Sequence, residues 1–112
     1  METNEGMTLD EAKLLVASWA NHQRLIRRIF FFGSRVRNEH RPDSDLDIAI
    51  ELIYPNPDIS AAHWAFESDA WVLTLSTMLP WELDMQCFNS QGTPTIAQGI
   101  SRSSILVYVK HG

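Results

Sequence analysis

Two short groups of residues could do chemistry together in this chain: Gly33-Ser34 and, ten residues later, Asp45-x-Asp47. A glycine–serine turn leaving a strand can bring backbone N–H groups and a hydroxyl up to a phosphate. Carboxylates at i and i+2 of the following strand point to one face, so both can reach the same pair of metal ions. Aspartate is depleted in sheets and adjacent carboxylates repel, a conflict that a divalent cation removes. A phosphate-holding turn with paired acids is the equipment of metal-dependent phosphoryl transfer. A third carboxylate is wanted to complete such a site and draw a proton from an attacking hydroxyl. Asp84, on the polar face of a strand read over Trp81–Phe88, is the favoured candidate; Glu82 on that face and Glu51 farther down the second strand are its rivals.

The charge distribution fits this chemistry. The chain carries a net −5, which argues against nucleic acid as a direct substrate gripped over a wide surface. Yet six arginines and one acid, Glu39, lie between Arg24 and Arg41, around the Gly33-Ser34 turn. That local field suits a small polyanion such as a nucleoside triphosphate. Arg24, Arg27 and Arg28 read as solvated residues between a helix and a strand. Arg35 and Arg37 flank the turn, where either solvation or phosphate contact would suit them.

The elements that must position these groups follow from pattern. Thr8 and Glu11 form a capping-box signature, predicting a helix to about His22 that buries Leu14, Leu15 and Ala17 or Ser18, with Ile26 or its neighbours. Ile29–Phe32 is an apolar run ended by glycine, as in a strand covered on both faces. Ser34 to about Asn38 could form one or two helical turns. Leu46–Leu52 alternates, with Leu46, Ile48, Ile50 and Leu52 opposite Asp45, Asp47, Ala49 and Glu51. Asn56 caps a helix started by Pro57 and running to near Met78, with Ile59, Ala62, Phe66, Ala70 and Leu73 along one stripe. Trp81–Phe88 alternates again. Thr93-Pro94 repeats the cap-then-proline start for a short helix to about Ser101, with Gly99 as its weak point, and Ile105–Val109 is a last strand. The order predicts an α/β (α+β) fold, a mixed sheet of about four strands with helices mainly on one face.

At 112 residues the chain is expected to be one domain spanning 1–112. The single cysteine, Cys87, rules out an internal disulfide and reads as core. Met1–Met7 has no signal pattern and no apolar run is long enough for a bilayer, so the expectation is a cytoplasmic protein with no membrane partner. His22, His40, His63 and His111 lack metal-ligand spacing. Most of Trp19, Trp64, Trp71 and Trp81 should be core, with one or two left for a partner interface.

The pattern G-S-x10-D-x-D, followed some forty residues later by an aspartate inside a strand, resembles the nucleotidyltransferase superfamily with the DNA polymerase beta fold. In size the chain looks like the minimal nucleotidyltransferase (MNT) domains. The resemblance implies that Gly33 and Ser34 contact a triphosphate, with Arg35 or Arg37 nearby. It implies that Asp45 and Asp47 bind two Mg²⁺ ions, and that Asp84 binds the catalytic one while helping to deprotonate the acceptor. The implied activity is transfer of AMP from ATP to a hydroxyl. Because MNT proteins pair with helical HEPN ribonuclease toxins, it further implies an antitoxin that AMPylates a tyrosine of such a partner. Two other readings are a non-catalytic antitoxin that masks its toxin, and a stand-alone small-molecule nucleotidyltransferase that builds its acceptor pocket as a homodimer.

Overall fold

The computed structural model describes residues 6–111, so most of the polar Met1–Met7 segment lies outside the described residues. The first helix, α1 (Leu9–Ala20), opens with a complete capping box: Thr8 Oγ1 accepts from the Glu11 N–H while Glu11 accepts from the Thr8 N–H. Its buried residues are Ala12, Val16 and Ala20, one every turn. Leu14 is 72% exposed and Leu15 also faces outward, contrary to the sequence expectation. The small side chains, not the leucines, line the face that approaches the sheet, with Ala17 packed at its margin. Ile26 is buried, but as a strand residue.

That strand, β1 (Ile26–Phe32), starts before the predicted apolar run. A register shift between Ile26 and Arg28 allows Ile26 and Ile29 both to face the core. β2 (Leu46–Leu52) buries Leu46, Ile48, Ile50 and Leu52 as the alternation predicts. Asn56 caps α2 (Pro57–Met78), its side chain accepting from the N–H groups of Asp58 and Ile59. β3 (Leu83–Phe88), α3 (Pro94–Arg102) and β4 (Ser104–Val109) complete the chain. Thr93 does not cap α3 through its side chain: its hydroxyl exchanges hydrogen bonds with the backbone of Asn89 instead.

The sheet order is β3-β2-β1-β4. β1 runs antiparallel to both neighbours, and β2 pairs in parallel with β3, which the α2 crossover allows. α1 and α2 bury one face of the sheet, where Ile29, Phe31, Leu46, Ile48, Ile50 and Val107 meet Val16, Trp71 and Leu75. Trp71 is held edge-on by Trp19 and Trp64, at 6.1 and 6.0 Å between ring centroids. The apolar stripe read along α2 lies on its solvent side: Ile59, Phe66 and Leu73 are 49%, 87% and 71% exposed. α2 is apolar on two sides, and the side carrying the indole cluster won the core because aromatic rings remove the most area from water. α3 packs on the sheet's other face, where Gly99 lies so close to the Phe32 ring that a Cβ would come within 3.1 Å of it. Its glycine is what permits that approach. Among the described residues no helix is long and apolar enough to cross a membrane.

Candidate active site

The face of the sheet opposite α1 and α2, which α3 covers in part, carries the polar residues of β2 and β3. The parallel register sets Asp47 directly beside Asp84, on the same side of the pleat. On the other flank Asp47 pairs with Phe32, the last residue of β1, so the chain enters Gly33 next to the Asp47 side chain. Gly33 has φ +82°, and a Cβ there would lie 1.8 Å from Asp47 Oδ2. No other residue could make that turn and leave the carboxylate in place. The glycine turn and the second acid are in direct contact.

After Gly33, where the sequence suggests one or two helical turns, the backbone closes a single hydrogen-bonded turn. The Arg37 N–H bonds Gly33 O at 3.2 Å and the Glu39 N–H bonds Ser34 O at 2.9 Å. Asn38, at φ 59°, breaks the progression. Ser34 is half-buried within this turn.

The electrostatics show which groups converge. Burial, a hydrogen bond with Asp84, and the negative charges of Asp84 and Asp45 push the Asp47 carboxyl up to about 6, while Arg37 draws it down. Asp84, Asp45 and Arg37 thus each act on Asp47, with Asp45 exposed one residue before β2. Arg37 also holds Glu39 at 2.9 Å. Gln86, to which sequence reasoning gave no role, donates to Asp84 Oδ1 at 2.7 Å. Its i+2 position on the same strand face was the available signal.

Arg35 is placed differently from Arg37. It is buried, donates from Nε to Ser44 O at 2.9 Å and from Nη2 to Pro42 O at 3.1 Å, and stacks over Trp81 at 5.0 Å. Those bonds fix the loop that delivers Asp45. Of the rival acids, Glu51 is engaged by Arg28 and Arg27, and Glu82 is exposed at the start of β3. Cys87 is half-buried beside Ser60, and burial pushes its thiol up, away from nucleophilic use.

Asp47 and Asp84, side by side next to the Gly33 turn, offer hard carboxylate oxygens, the donor chemistry that Mg²⁺ prefers. Among the described residues no three acid, histidine or cysteine side chains are already closed around one point. The fit therefore rests on the donor chemistry and on the burial and neighbouring acids that raise Asp47, a cost that a dication would relieve.

Comparison with known proteins is consistent with this arrangement. The model of the family described as "Polymerase beta, Nucleotidyltransferase" matches residues 16–111. Among solved structures, a mutant MntA–HpeT toxin–antitoxin complex is similar with a TM-score of 0.58 at 18% identity, over 88% of this chain and 72% of that one. The Shewanella oneidensis tri-AMPylated HEPN toxin in complex with MNT antitoxin gives 0.52 at 20% identity, over 91% and 71%. A toxin–antitoxin structure with AMP-PNP gives 0.52 at 19% identity, over 88% and 73%. At these identities the likeness is one of fold. No significant match is found among curated proteins.

Proposed function

Because this chain belongs to the polymerase beta nucleotidyltransferase family, we propose that it transfers AMP from ATP to a hydroxyl of a partner HEPN toxin, with pyrophosphate as the leaving group, and thereby acts as the antitoxin. The observation that carries this reading is the contact of Gly33 with Asp47, itself in register with Asp84. That the Gly33 turn adjoins Asp47, with Asp84 in register beside it, supports reading the turn as the phosphate holder next to the acids.

Gly33 and Ser34 would hold the triphosphate through backbone N–H groups and the Ser34 hydroxyl, with Arg37 offering charge beside them. Arg35 would act at one remove, by keeping the Pro42–Ser44 loop and hence Asp45 in place. Asp45, Asp47 and Asp84 would hold two Mg²⁺ ions, which when bound stabilise charge on the attacking, bridging and leaving oxygens. Asp84, steadied by Gln86, is suited to take the proton of the acceptor hydroxyl. The protein acceptor is supported by the likeness to complexes of toxin and antitoxin, one of them with an AMPylated toxin.

The test is incubation with Mg²⁺ and α-labelled ATP, alone and with the product of the adjacent gene. Label on that protein, lost in Asp45→Asn and Asp47→Asn, supports the proposal. Tight binding with no label makes the chain a steric antitoxin, and label on an added small molecule makes it a stand-alone enzyme.

A further inference from the structure

The turn assigned to the phosphates carries an acid of its own. The Glu39 N–H closes on Ser34 O at 2.9 Å, and the Glu39 carboxylate accepts from Arg37 Nε at 2.9 Å. Arg37 is also near enough to Asp47 to draw that carboxyl down. One guanidinium therefore stands between the acid read as a metal ligand and a second acid at the turn. Glu39 is the sole acid among the six arginines from Arg24 to Arg41. A carboxylate in that place repels a polyphosphate and neutralises the cation that would attract it.

A second cation reaches Glu39 from the far end of the chain. Ser104 pairs with Phe32, one residue before Gly33, and Gly99 lies against the Phe32 ring. Arg102, in the last turn of α3, follows Gly99 by three residues, on the same side of the helix and one turn nearer the Gly33 corner. The Glu39 carboxyl is held below its ordinary value first by its hydrogen bond to Arg37 and the charge of Arg37, and less strongly by Arg102. Glu39 thus has a bonded cation on its inner side and an alternative one on its outer side.

We propose that Glu39 sets how tightly the pyrophosphate half of the nucleotide is held: it competes with those two phosphates for Arg37 and, when displaced, pairs with Arg102. This rests on the reading of the Gly33–Ser34 turn as the triphosphate holder. The α-phosphate, where the acceptor attacks, belongs at the acids, so the two phosphates beyond it are the ones that meet the turn and Arg37. AMP ends before them and does not disturb the Arg37–Glu39 pair. The same exchange run backwards favours departure of pyrophosphate once transfer is complete. Glu39 is a positioning residue, acting through Arg37.

The experiment is calorimetric titration of the full chain with ATP, pyrophosphate and AMP in the presence of Mg²⁺, comparing the parent with Glu39→Gln. ATP and pyrophosphate should bind Glu39→Gln about three- to tenfold more tightly, the sum of one exposed ion pair and one repulsion removed, whereas AMP should change by less than about twofold. Adding Arg37→Ala should reduce the gain for ATP to less than about twofold. Arg102→Gln should weaken ATP binding about twofold in the parent and leave that of Glu39→Gln unchanged. The proposal is overturned by any of four results: no tightening, equal tightening for AMP, a gain that survives Arg37→Ala, or an equal loss from Arg102→Gln in both backgrounds. ATP binding to neither protein would overturn the triphosphate reading itself, and this proposal with it.

Discussion

Replacing Asp47 with asparagine should make the protein more stable and inactive at once. Asp47 is held at about 6, raised from 3.8 by burial and by the neighbouring Asp84 and Asp45. The folded chain therefore binds that proton more tightly than the unfolded chain does. The benefit is fully present below pH 3.8 and disappears as pH climbs through about 6, leaving ionised Asp47 as a strain on the fold at neutral pH. At 1.36 kcal/mol per pH unit the full penalty would be roughly 3 kcal/mol. The side chain is only partly buried, and screening reduces the figure to ~1–2 kcal/mol. Asparagine keeps the shape and never ionises. Asp47→Asn should thus melt roughly 4–10 °C higher than the parent at pH 7.5 without divalent ions, and show no gain near pH 3.5. The assay is a pair of thermal melts across that pH range, alongside the α-labelled ATP transfer reaction, in which the variant should be silent. An Asp47→Asn protein that is less stable at pH 7.5, or whose advantage is the same at both pH values, would refute the electrostatic reasoning. Full-rate transfer would refute the metal assignment.

Other outcomes follow from the same contacts. Mg²⁺ should raise the parent's melting temperature more at pH 7.5 than at pH 5, and should not raise that of Asp47→Asn, measured by differential scanning fluorimetry. Gly33→Ala should lose about 1–3 kcal/mol in urea denaturation, since the added Cβ meets Asp47 Oδ2 at a positive φ. Arg35→Lys should cost ~1–3 kcal/mol, because lysine cannot bridge Ser44 O and Pro42 O while stacking on Trp81. Arg37→Ala, whose partner Glu39 is exposed, should change stability by less than about 1 kcal/mol yet weaken ATP binding in a calorimetric titration.

The sequence was most legible where local chemistry decides the structure. Thr8 and Glu11, Asn56 and Pro57, and the strict alternation from Leu46 to Leu52 each act over a few residues, and each element formed as read. The faces of helices were less legible. α2 offers an apolar stripe on each side, and only the sheet and the Trp19–Trp71–Trp64 cluster determine which is buried. α1 misleads in the same way, since tight packing favoured Ala12, Val16 and Ala20 over larger Leu14. At the site, spacing was enough to nominate Gly33, Asp45 and Asp47, while Asp84 was favoured over Glu82 and Glu51 by its place in the strand together with the family resemblance. Spacing could not tell Arg35 from Arg37, which alternate about a turn whose shape depends on the Pro42–Ser44 loop folding back. Thr93 had the residue type for a cap, but the backbone of Asn89 competed for its hydroxyl.

β3 lies at the edge of the sheet and is held on one side only, residue for residue, by β2. Because side chains alternate along a strand, slipping that pairing by a single position would turn Asp84 toward the helices and push Leu83 or Met85 into water. Correct burial and correct assembly of the acids are therefore the same event. A chain that has folded well enough to hide its leucines has, by that fact, already aligned its carboxylates.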